Sequence, residues 1–256
     1  MNPAEHLDQK EQERAARDKW DERYLEKESY VTEGPVPAVE EFFKKYEKEL
    51  KGGKILDIGS GPGRNLTHIA RLGYDTYGID NSEASLKLLK ERLKKEGLAA
   101  HFAQASFYDL PFEDDKFRAA ISNNVFQHND WEGAEKSFRE AARVLEPGGL
   151  LMVSIRSTSR ALPEMRTDVP DKGVTFIPKE GSKAGIMLHH YSLEEVEELA
   201  EKSGLEILEK REVIKMKKKG KEGEEAEIGE GEEVPEEEKE QRGHWVLTLR
   251  KKEERA

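Results

Sequence analysis

Three glycines stand at alternate positions directly after a short apolar run, a pattern that suits close approach of the backbone to a ligand. Gly59, Gly61 and Gly63 follow the run at residues 54–58. Glycine has no Cβ and adopts positive φ at little cost, so a ligand can lie against the main chain. Asp80 lies 21 residues beyond Gly59, at the end of a second strand-like run, where a carboxylate can reach ribose hydroxyls. The spacing predicts a site for a nucleoside-containing cofactor.

Asp57 narrows the choice of cofactor because it puts a carboxylate at the entrance of the glycine loop. A dinucleotide site binds a pyrophosphate on backbone N–H groups, and a nearby carboxylate would repel that group. The loop also departs from the G-x-G-x-x-G pattern of such sites: Gly63 comes one residue early, and Arg64 stands where glycine or alanine is expected. The acid favours a cofactor that carries adenosine and positive charge without phosphate, as S-adenosylmethionine does. A nicotinamide dehydrogenase stays open as a disfavoured alternative.

With this loop the chain resembles the class I S-adenosylmethionine-dependent methyltransferases, whose first motif is hydrophobic-Asp/Glu-x-Gly-x-Gly-x-Gly. Residues 54–63 match that motif without a gap, and Arg-Val-Leu-Glu-Pro-Gly-Gly at residues 143–149 is also similar to the family. The resemblance covers residues 38–156 and implies S-adenosyl-L-methionine as the cofactor.

The resemblance also implies where each part of that cofactor would bind. The glycine loop and its acid would serve the methionine end, Asp80 the ribose hydroxyls, and Asn81 the neighbourhood of the adenine. In the family's next motif an acid usually meets the adenine amino group, but here Ser106 stands at that position. A hydroxyl accepts the same hydrogen bond more weakly than a carboxylate. Phe107 beside it is either a cofactor contact or a core residue.

The N-terminal segment resembles a second, smaller group within the family. Trp-Asp-Glu-Arg-Tyr at residues 20–24 is similar to the arm of tellurite-resistance and thiopurine-type methyltransferases, which closes over the cofactor. An equally weighted alternative is that its aromatic residues only dock the arm on the core. The cofactor-binding residues implied by these resemblances are Trp20, Tyr24, Asp57, Gly59, Ser60, Gly61, Asp80, Asn81, Ser106, Phe107 and Asn123.

The residues that would act on a substrate follow two later strands. His128 comes shortly after a predicted strand end and could be a base, although a structural role at a helix start is favoured. Methyl transfer to a nucleophilic acceptor needs positioning more than a base. A histidine pair near residue 190 lacks a third ligand at suitable spacing, so substrate positioning is favoured over metal binding and no metal site is predicted. The catalytic candidates are His128, Arg156, His189, His190 and Tyr191.

Composition excludes several classes of protein. The 256 residues contain no cysteine, which excludes disulfides, thiolate metal sites and thiol nucleophiles. A net charge of −11 gives no general attraction to nucleic acid. Neither an apolar run of membrane-spanning length nor an N-terminal signal is present. We therefore expect a cytoplasmic protein, monomeric or homodimeric, without nucleic-acid or membrane partners.

Apolar periodicity predicts alternating strands and helices, which is typical of a parallel sheet covered by helices. The fold class is α/β, with a Rossmann-like, mostly parallel seven-stranded sheet, helices on both faces and an antiparallel C-terminal edge hairpin. Strands are predicted at 54–58, 74–79, 100–103, 117–122, 149–156, 205–216 and 244–251, and helices at 3–28, 38–50, 63–72, 82–96, 131–145 and 192–203.

One domain is expected over residues 1–256. Its parts are a helical arm at 1–37, a cofactor-binding core at 38–156, a substrate-side loop at 157–191, and a C-terminal part at 192–256 with a charged, solvated extension at 217–243. The predicted function is methyl transfer from S-adenosyl-L-methionine to a small molecule. The alternatives are a non-catalytic cofactor-binding protein that uses the acidic extension for partners and, less favoured, a methyltransferase acting on protein or RNA.

Overall fold

The computed structural model describes residues 9–26, 34–158, 173–178, 184–215, 225–227 and 242–253. Its strands are β1 Lys54–Ile58, β2 Asp75–Asp80, β3 His101–Gln104, β4 Phe117–Asn123, β5 Leu145–Arg156, β6 Val174–Phe176, β7 Leu188–His190, β8 Leu205–Lys215, β9 Glu225–Glu227 and β10 Arg242–Lys251. Its helices are α1 Gln9–Glu26, α2 Pro37–Lys45, α3 Glu47–Leu50, α4 Arg64–Arg71, α5 Glu83–Glu96, α6 Trp131–Val144 and α7 Leu193–Lys202.

The main sheet has the strand order β3-β2-β1-β4-β5-β10-β8-β9. Its pairs from β3 to β5 are parallel. Strand β10 lies antiparallel between β5 and β8, and the short β9 pairs antiparallel with β8. The predicted Rossmann-like class and its C-terminal antiparallel hairpin are confirmed, and β9 adds an eighth strand at the edge of the seven that were expected.

Alternate residues of the strands face two separate cores. Leu56 and Ile58 of β1 belong to a cluster that includes residues of α6 and α7. Ile55, directly before Leu56 in the strand, belongs to a second cluster with residues of α2. Because successive strand residues point to opposite faces, the two clusters lie on opposite sides of the sheet. Helices therefore cover both faces, as predicted.

Side chains cap the starts of two helices. Ser82 Oγ accepts a hydrogen bond from Ser85 N at the start of α5. Ser192 and Glu195 form a capping box at the start of α7. Each cap satisfies backbone N–H groups that have no partner within the helix.

Three expectations need correction. The helix predicted at 38–50 is two helices, α2 and α3, because the backbone leaves the helical region at Tyr46. The 157–191 loop contains the antiparallel pair β6–β7, with Val174 opposite His190. The strand predicted at 149–156 begins earlier, since β5 starts at Leu145 and its register with β4 shifts between Phe117 and Ala119.

Some predicted segments lie outside the described residues. These are the extension at 217–243, apart from β9 and residues 242–243, and residues 3–8 and 27–28 of the predicted first helix.

Candidate functional site

A cavity of about 440 Å³ lies at the carboxyl ends of β1, β2 and β4, where the strand order reverses. Open α/β sheets bind ligands at this place, and small-molecule sites typically measure roughly 300–1,000 Å³. Its walls are formed by helix α1, by the end of β2 and by the loops after β1, β3 and β4. Ile177, Gly185 and Met187 complete them. The predicted cofactor residues that line it are Trp20, Tyr24, Gly59, Ser60, Gly61, Asp80, Asn81, Ser106, Phe107 and Asn123.

The glycine loop is attached to the end of β2 by its own N–H groups. Gly59 N and Ser60 N donate to Ile79 O over 2.8 and 2.9 Å. Gly61 N donates to Asp80 Oδ2 over 2.8 Å. Gly59 and Gly61 have φ values of 73° and 53°, in the left-handed region that other residues rarely adopt. The glycines are therefore needed for the conformation of the loop as well as for a ligand to approach it.

Asp80 is held at the cavity edge by two backbone N–H groups. Its Oδ2 accepts from Gly61 N, and its Oδ1 accepts from Ser82 N over 2.9 Å. Burial raises the pKa of Asp80, and these hydrogen bonds partly offset that effect. The Ser85 side chain also donates to this carboxylate, and since a carboxylate has about four acceptor positions, one remains for a ligand hydroxyl. The carboxylate is thus fixed in place and able to bind a ribose.

Asp57 lies beneath the glycine loop and not in the cavity wall. Its side chain is buried and accepts from Leu66 N at the start of α4, while Oδ2 has no hydrogen-bond partner among the described residues. Burial, with a smaller contribution from the charge of Asp80, raises the pKa of Asp57 to about 7. The sequence placed this carboxylate against the ligand, whereas the structure places it one layer below the cavity surface.

Helix α1 covers the cavity and is fixed to the start of α5. Asp21 Oδ1 accepts from Ser82 Oγ over 2.5 Å and from Ala84 N over 3.1 Å. The Trp20 and Tyr24 rings, which line the cavity from α1, stack with centroids 5.6 Å apart. The arm therefore contributes both a cover and aromatic wall residues.

One end of the cavity is lined by Asn81, Ser106 and Phe107. Ser106 Oγ donates to the carboxylate of Glu13 on α1, and the Asn81 side-chain amide lies 3.5 Å from Glu13 O. The Phe107 ring also packs against Phe126 of the core, with centroids 5.9 Å apart. Phe107 thus joins the cavity wall to the core, so its two alternative roles are compatible.

The turn after β4 builds the opposite wall. Asn123 ends β4, and Asn124 follows with a left-handed φ of 59°. His128 Nδ1 lies 3.1 Å from Met187 O. Because a carbonyl oxygen only accepts, Nδ1 carries a proton and Nε2 is the acceptor of the neutral ring. The edge of His128 faces Trp20 at a centroid distance of 5.3 Å. His128 is the catalytic candidate that the described cavity wall contains.

The other four catalytic candidates are buried on or beside β5 and β7, outside the described cavity wall: Arg156, His189, His190 and Tyr191. His189 Nδ1 forms a 2.6 Å hydrogen bond with Thr175 Oγ1 of β6. Tyr191 Oη donates to Phe126 O over 2.5 Å. The first contact joins β6 to β7, and the second joins Tyr191 to the turn after β4. The sequence placed these residues near the mouth of the site, whereas the structure places their buried side chains outside the described cavity wall.

Comparison with protein families adds the decisive observation. A family described as a methyltransferase domain matches residues 55–149, which contain the glycine loop, Asp80 and the turn after β4. Over residues 55–149 the chain carries a methyltransferase domain. The family predicted from residues 54–63 is therefore confirmed.

Curated and solved relatives are consistent with this methyltransferase domain. The uncharacterized methyltransferase YodH of Bacillus subtilis is 28% identical over 148 residues, which are 57% of this chain and 62% of YodH. The match thus spans less than two thirds of that relative.

Two solved structures share the fold. The 1,6-didemethyltoxoflavin-N1-methyltransferase of Burkholderia thailandensis, with 1,6-didemethyltoxoflavin and S-adenosylhomocysteine bound, has a TM-score of 0.68 at 15% identity, covering 98% of this chain and 94% of that one. TehB from Haemophilus influenzae has a TM-score of 0.54 at 21% identity, covering 84% of this chain and 67% of that one. At these identities the likeness concerns the fold alone.

Two kinds of feature are absent from the described residues. Within the described ranges, no group of three or more His, Asp or Glu side chains is placed to hold a metal ion. Among the helices that the structure describes, none has the length and apolarity needed to cross a membrane.

Sequence reasoning missed Glu13 and Arg17 as residues of the cavity wall. Glu13, Arg17, Trp20 and Tyr24 all line the cavity from α1, at spacings of four, three and four residues. That helical period was a usable signal for a common face. The partners of these helix residues could not be found this way, because they lie far away in the sequence. Glu13 contacts Ser106, and Asp21 contacts Ser82 and Ala84.

Proposed function

We propose that this chain transfers the methyl group of S-adenosyl-L-methionine to a small-molecule acceptor and releases S-adenosylhomocysteine. The observation that carries the proposal is how the glycine loop uses its N–H groups. Gly59, Ser60 and Gly61 donate to the end of β2 and so offer no array of donors to a phosphate. Asp57 and Asp80 add two carboxylates at the same place. This combination suits a nucleoside cofactor that is positively charged and has no phosphate.

The residues of the loop fit such a cofactor. The unpaired Asp57 Oδ2 supplies buried negative charge below the loop, which favours a cation above it. A Cβ on Gly61 would lie 3.1 Å from Tyr24 Oη, so the absence of a side chain leaves a narrow space between the loop and α1. Arg64 lines the same region and offers positive charge for the carboxylate of a methionine moiety.

Each part of the cofactor has a candidate binding residue. In this proposal Asp80 accepts from the ribose hydroxyls, and Asn81, Ser106 and Phe107 surround the adenine. The methionine end lies along Gly59, Ser60, Gly61 and Asn123, with Trp20 and Tyr24 above it. When bound, S-adenosylmethionine supplies an electrophilic methyl group on a sulfonium. The chain's own part is to hold donor and acceptor in line and to exclude water beneath α1.

The acceptor side of the cavity favours a small molecule with an apolar surface. Trp20, Ile177 and Met187 contribute aromatic and aliphatic walls, and His128 stands between two of them. In its neutral form His128 presents Nε2 as an acceptor, which can orient an acceptor hydroxyl or take its proton. The cover formed by α1 limits the size of what can enter, and the net charge of −11 disfavours a nucleic acid. The Burkholderia thailandensis protein of the same fold is named for a small-molecule substrate, which supports this proposal.

Calorimetric titration with S-adenosylmethionine and S-adenosylhomocysteine tests the cofactor. We expect both to bind, and Asp80→Ala to weaken binding by about 10-fold or more, because a charged acceptor of the ribose hydroxyls is lost. No binding by the unmodified protein, or tight binding of NAD, would overturn the proposal.

A labelled-methyl assay tests the acceptor class. Phenols, thiols and heteroaromatic amines are compared with RNA and with unrelated proteins as acceptors. We expect label in the low-molecular-weight fraction. Label in RNA or protein alone would contradict a small-molecule acceptor, and binding without transfer to any acceptor would favour the non-catalytic alternative.

A further inference from the structure

The position of Asp80 determines which end of the cavity would receive the base of a nucleoside. Asp80 ends β2, and the next residue along the chain, Asn81, lines the cavity beside it. Ser106 follows β3, the strand that pairs with β2, and lines the same end. A ribose on Asp80 therefore places its base between Asn81 and Ser106. This step rests on the proposed function.

Adenine presents an exocyclic amino group, which is a donor and loses free energy if it is buried without an acceptor. At this end of the cavity Ser106 offers a hydroxyl, and Ser106 Oγ is already engaged with the Tyr108 N–H over 3.2 Å. The family that this chain resembles has an acid at the Ser106 position. If this chain binds the adenine amino group with a carboxylate, another part of the chain must supply that carboxylate.

Glu13 brings a carboxylate to this place from helix α1. It lines the cavity, its carboxylate accepts from Ser106 Oγ, and its backbone oxygen lies 3.5 Å from the Asn81 amide nitrogen. Glu13 therefore contacts both residues that flank the base position. The charges of Lys136, Asp109 and Lys10 also act on this carboxylate.

We propose that Glu13 is the residue that recognises adenine: its carboxylate accepts the exocyclic N–H while Ser106 Oγ orients it from the other side. The acid that the family carries in the loop after β3 is thus supplied by the helix that covers the site. Recognition of the base then requires that α1 be closed.

A ligand pair that differs at one position of the base tests this role. S-adenosylhomocysteine carries an amino group where S-inosylhomocysteine carries a carbonyl oxygen, which a carboxylate repels. We expect the unmodified protein to prefer the adenosine form by roughly 10- to 100-fold in Kd. Glu13→Gln should reduce or reverse this preference, because an amide can also donate to the carbonyl oxygen. Binding is measured by calorimetry, so no acceptor substrate is needed.

Matched variants separate recognition from structure. Glu22→Gln makes the same chemical change at an exposed position of α1 and should keep the preference. Ser106→Asp in a Glu13→Ala background should restore part of it. If Glu13→Gln keeps the full preference, or weakens both ligands equally, the inference is overturned while the proposed function stands. If the unmodified protein binds neither ligand, the proposed function falls and the inference with it.

Discussion

Asp21 of α1 and Ser82 at the start of α5 are joined by a 2.5 Å hydrogen bond, donated by Ser82 Oγ. The same Asp21 oxygen accepts from Ala84 N, and Ser82 Oγ in turn accepts from Ser85 N. Two side chains from different parts of the chain therefore satisfy the first N–H groups of α5. A carboxylate at a helix N-terminus is also favoured by the helix dipole. The covering helix is thus attached to the core by a polar cap.

We expect Asp21→Ala to loosen α1 at a cost of about 1 kcal/mol, the usual effect of losing a cap. S-adenosylhomocysteine should then dissociate several-fold faster, which stopped-flow measurement would detect, and amide exchange in residues 9–26 should accelerate. Asp18→Ala is the control, since Asp18 is exposed on the same helix and pairs only with the adjacent Arg17 among the contacts described for it. Equal behaviour of the two variants would contradict the role of the cap.

Asp57 should make the ligand-free protein less stable as pH rises. Its folded pKa of about 7 lies above the ordinary 3.8, so the folded protein binds this proton more tightly than the unfolded chain does. Stability contributed by the neutral acid is therefore lost as pH rises between about 4 and 7. We expect Asp57→Asn to stabilise the ligand-free protein by about 1–3 kcal/mol at about pH 8 and by much less at about pH 4.

Thermal unfolding across that pH range measures the effect, with Asp75→Asn on the exposed start of β2 as control. The same Asp57→Asn change should weaken S-adenosylmethionine binding above about pH 7, where the native carboxylate is charged and attracts the cation. If Asp57→Asn instead destabilised the protein at high pH, the charged Asp57 carboxylate would have a stabilising partner, and the prediction would be wrong.

Gly59 should not tolerate a side chain. A Cβ there would lie 2.3 Å from a methyl carbon of Val125, and the φ of 73° disfavours alanine. We expect Gly59→Ala to cost about 1–3 kcal/mol of unfolding free energy, seen in denaturant titration. Adding Val125→Ala to the Gly59→Ala protein should recover only the part of this free-energy loss that comes from the steric clash.

Gly34→Ala is the matched control for this prediction, because a Cβ at Gly34 meets nothing within 4 Å and its φ is not positive. A Gly59→Ala protein as stable as Gly34→Ala would mean that the loop can relax away from Val125.

His128 and His189 should respond differently to the same substitution. His128 lines the cavity, so His128→Asn should lower kcat/KM on an acceptor found in the labelled-methyl assay while leaving the unfolding temperature nearly unchanged. His189 is fully buried against Thr175, so His189→Asn should lower stability by about 1–3 kcal/mol and leave ligand affinity intact. The opposite outcome would return His189 to the list of substrate-binding candidates.

The sequence was sufficient for the features that depend on local pattern. The run at 54–58 and its glycines predicted β1 with its bounds, and the spacing to Asp80 predicted the strand end that meets the same loop. These features are encoded by neighbouring residues, because strand alternation and glycine conformation are local properties.

What the sequence could not supply depends on tertiary contacts. The partners of Asp21 lie 61 and 63 residues away, and no period or spacing links them. Asp57 was placed against the ligand because strand ends in α/β sheets face the site, yet its side chain points beneath the loop to Leu66. The pair β6–β7 was missed since each strand is three residues long and has no alternation to detect.

The indole of Trp20 lies at the boundary between the covering helix and the cavity. It stacks with Tyr24 and makes a T-shaped contact with His128. The chain has three tryptophans, and the other two lie elsewhere: Trp131 begins α6 and Trp245 donates to Tyr191 O from β10. We therefore expect the fluorescence of Trp20, which lines the cavity, to respond to ligand entry more than that of Trp131 and Trp245. With Trp131 and Trp245 replaced by phenylalanine, the fluorescence of Trp20 should report the position of the covering helix.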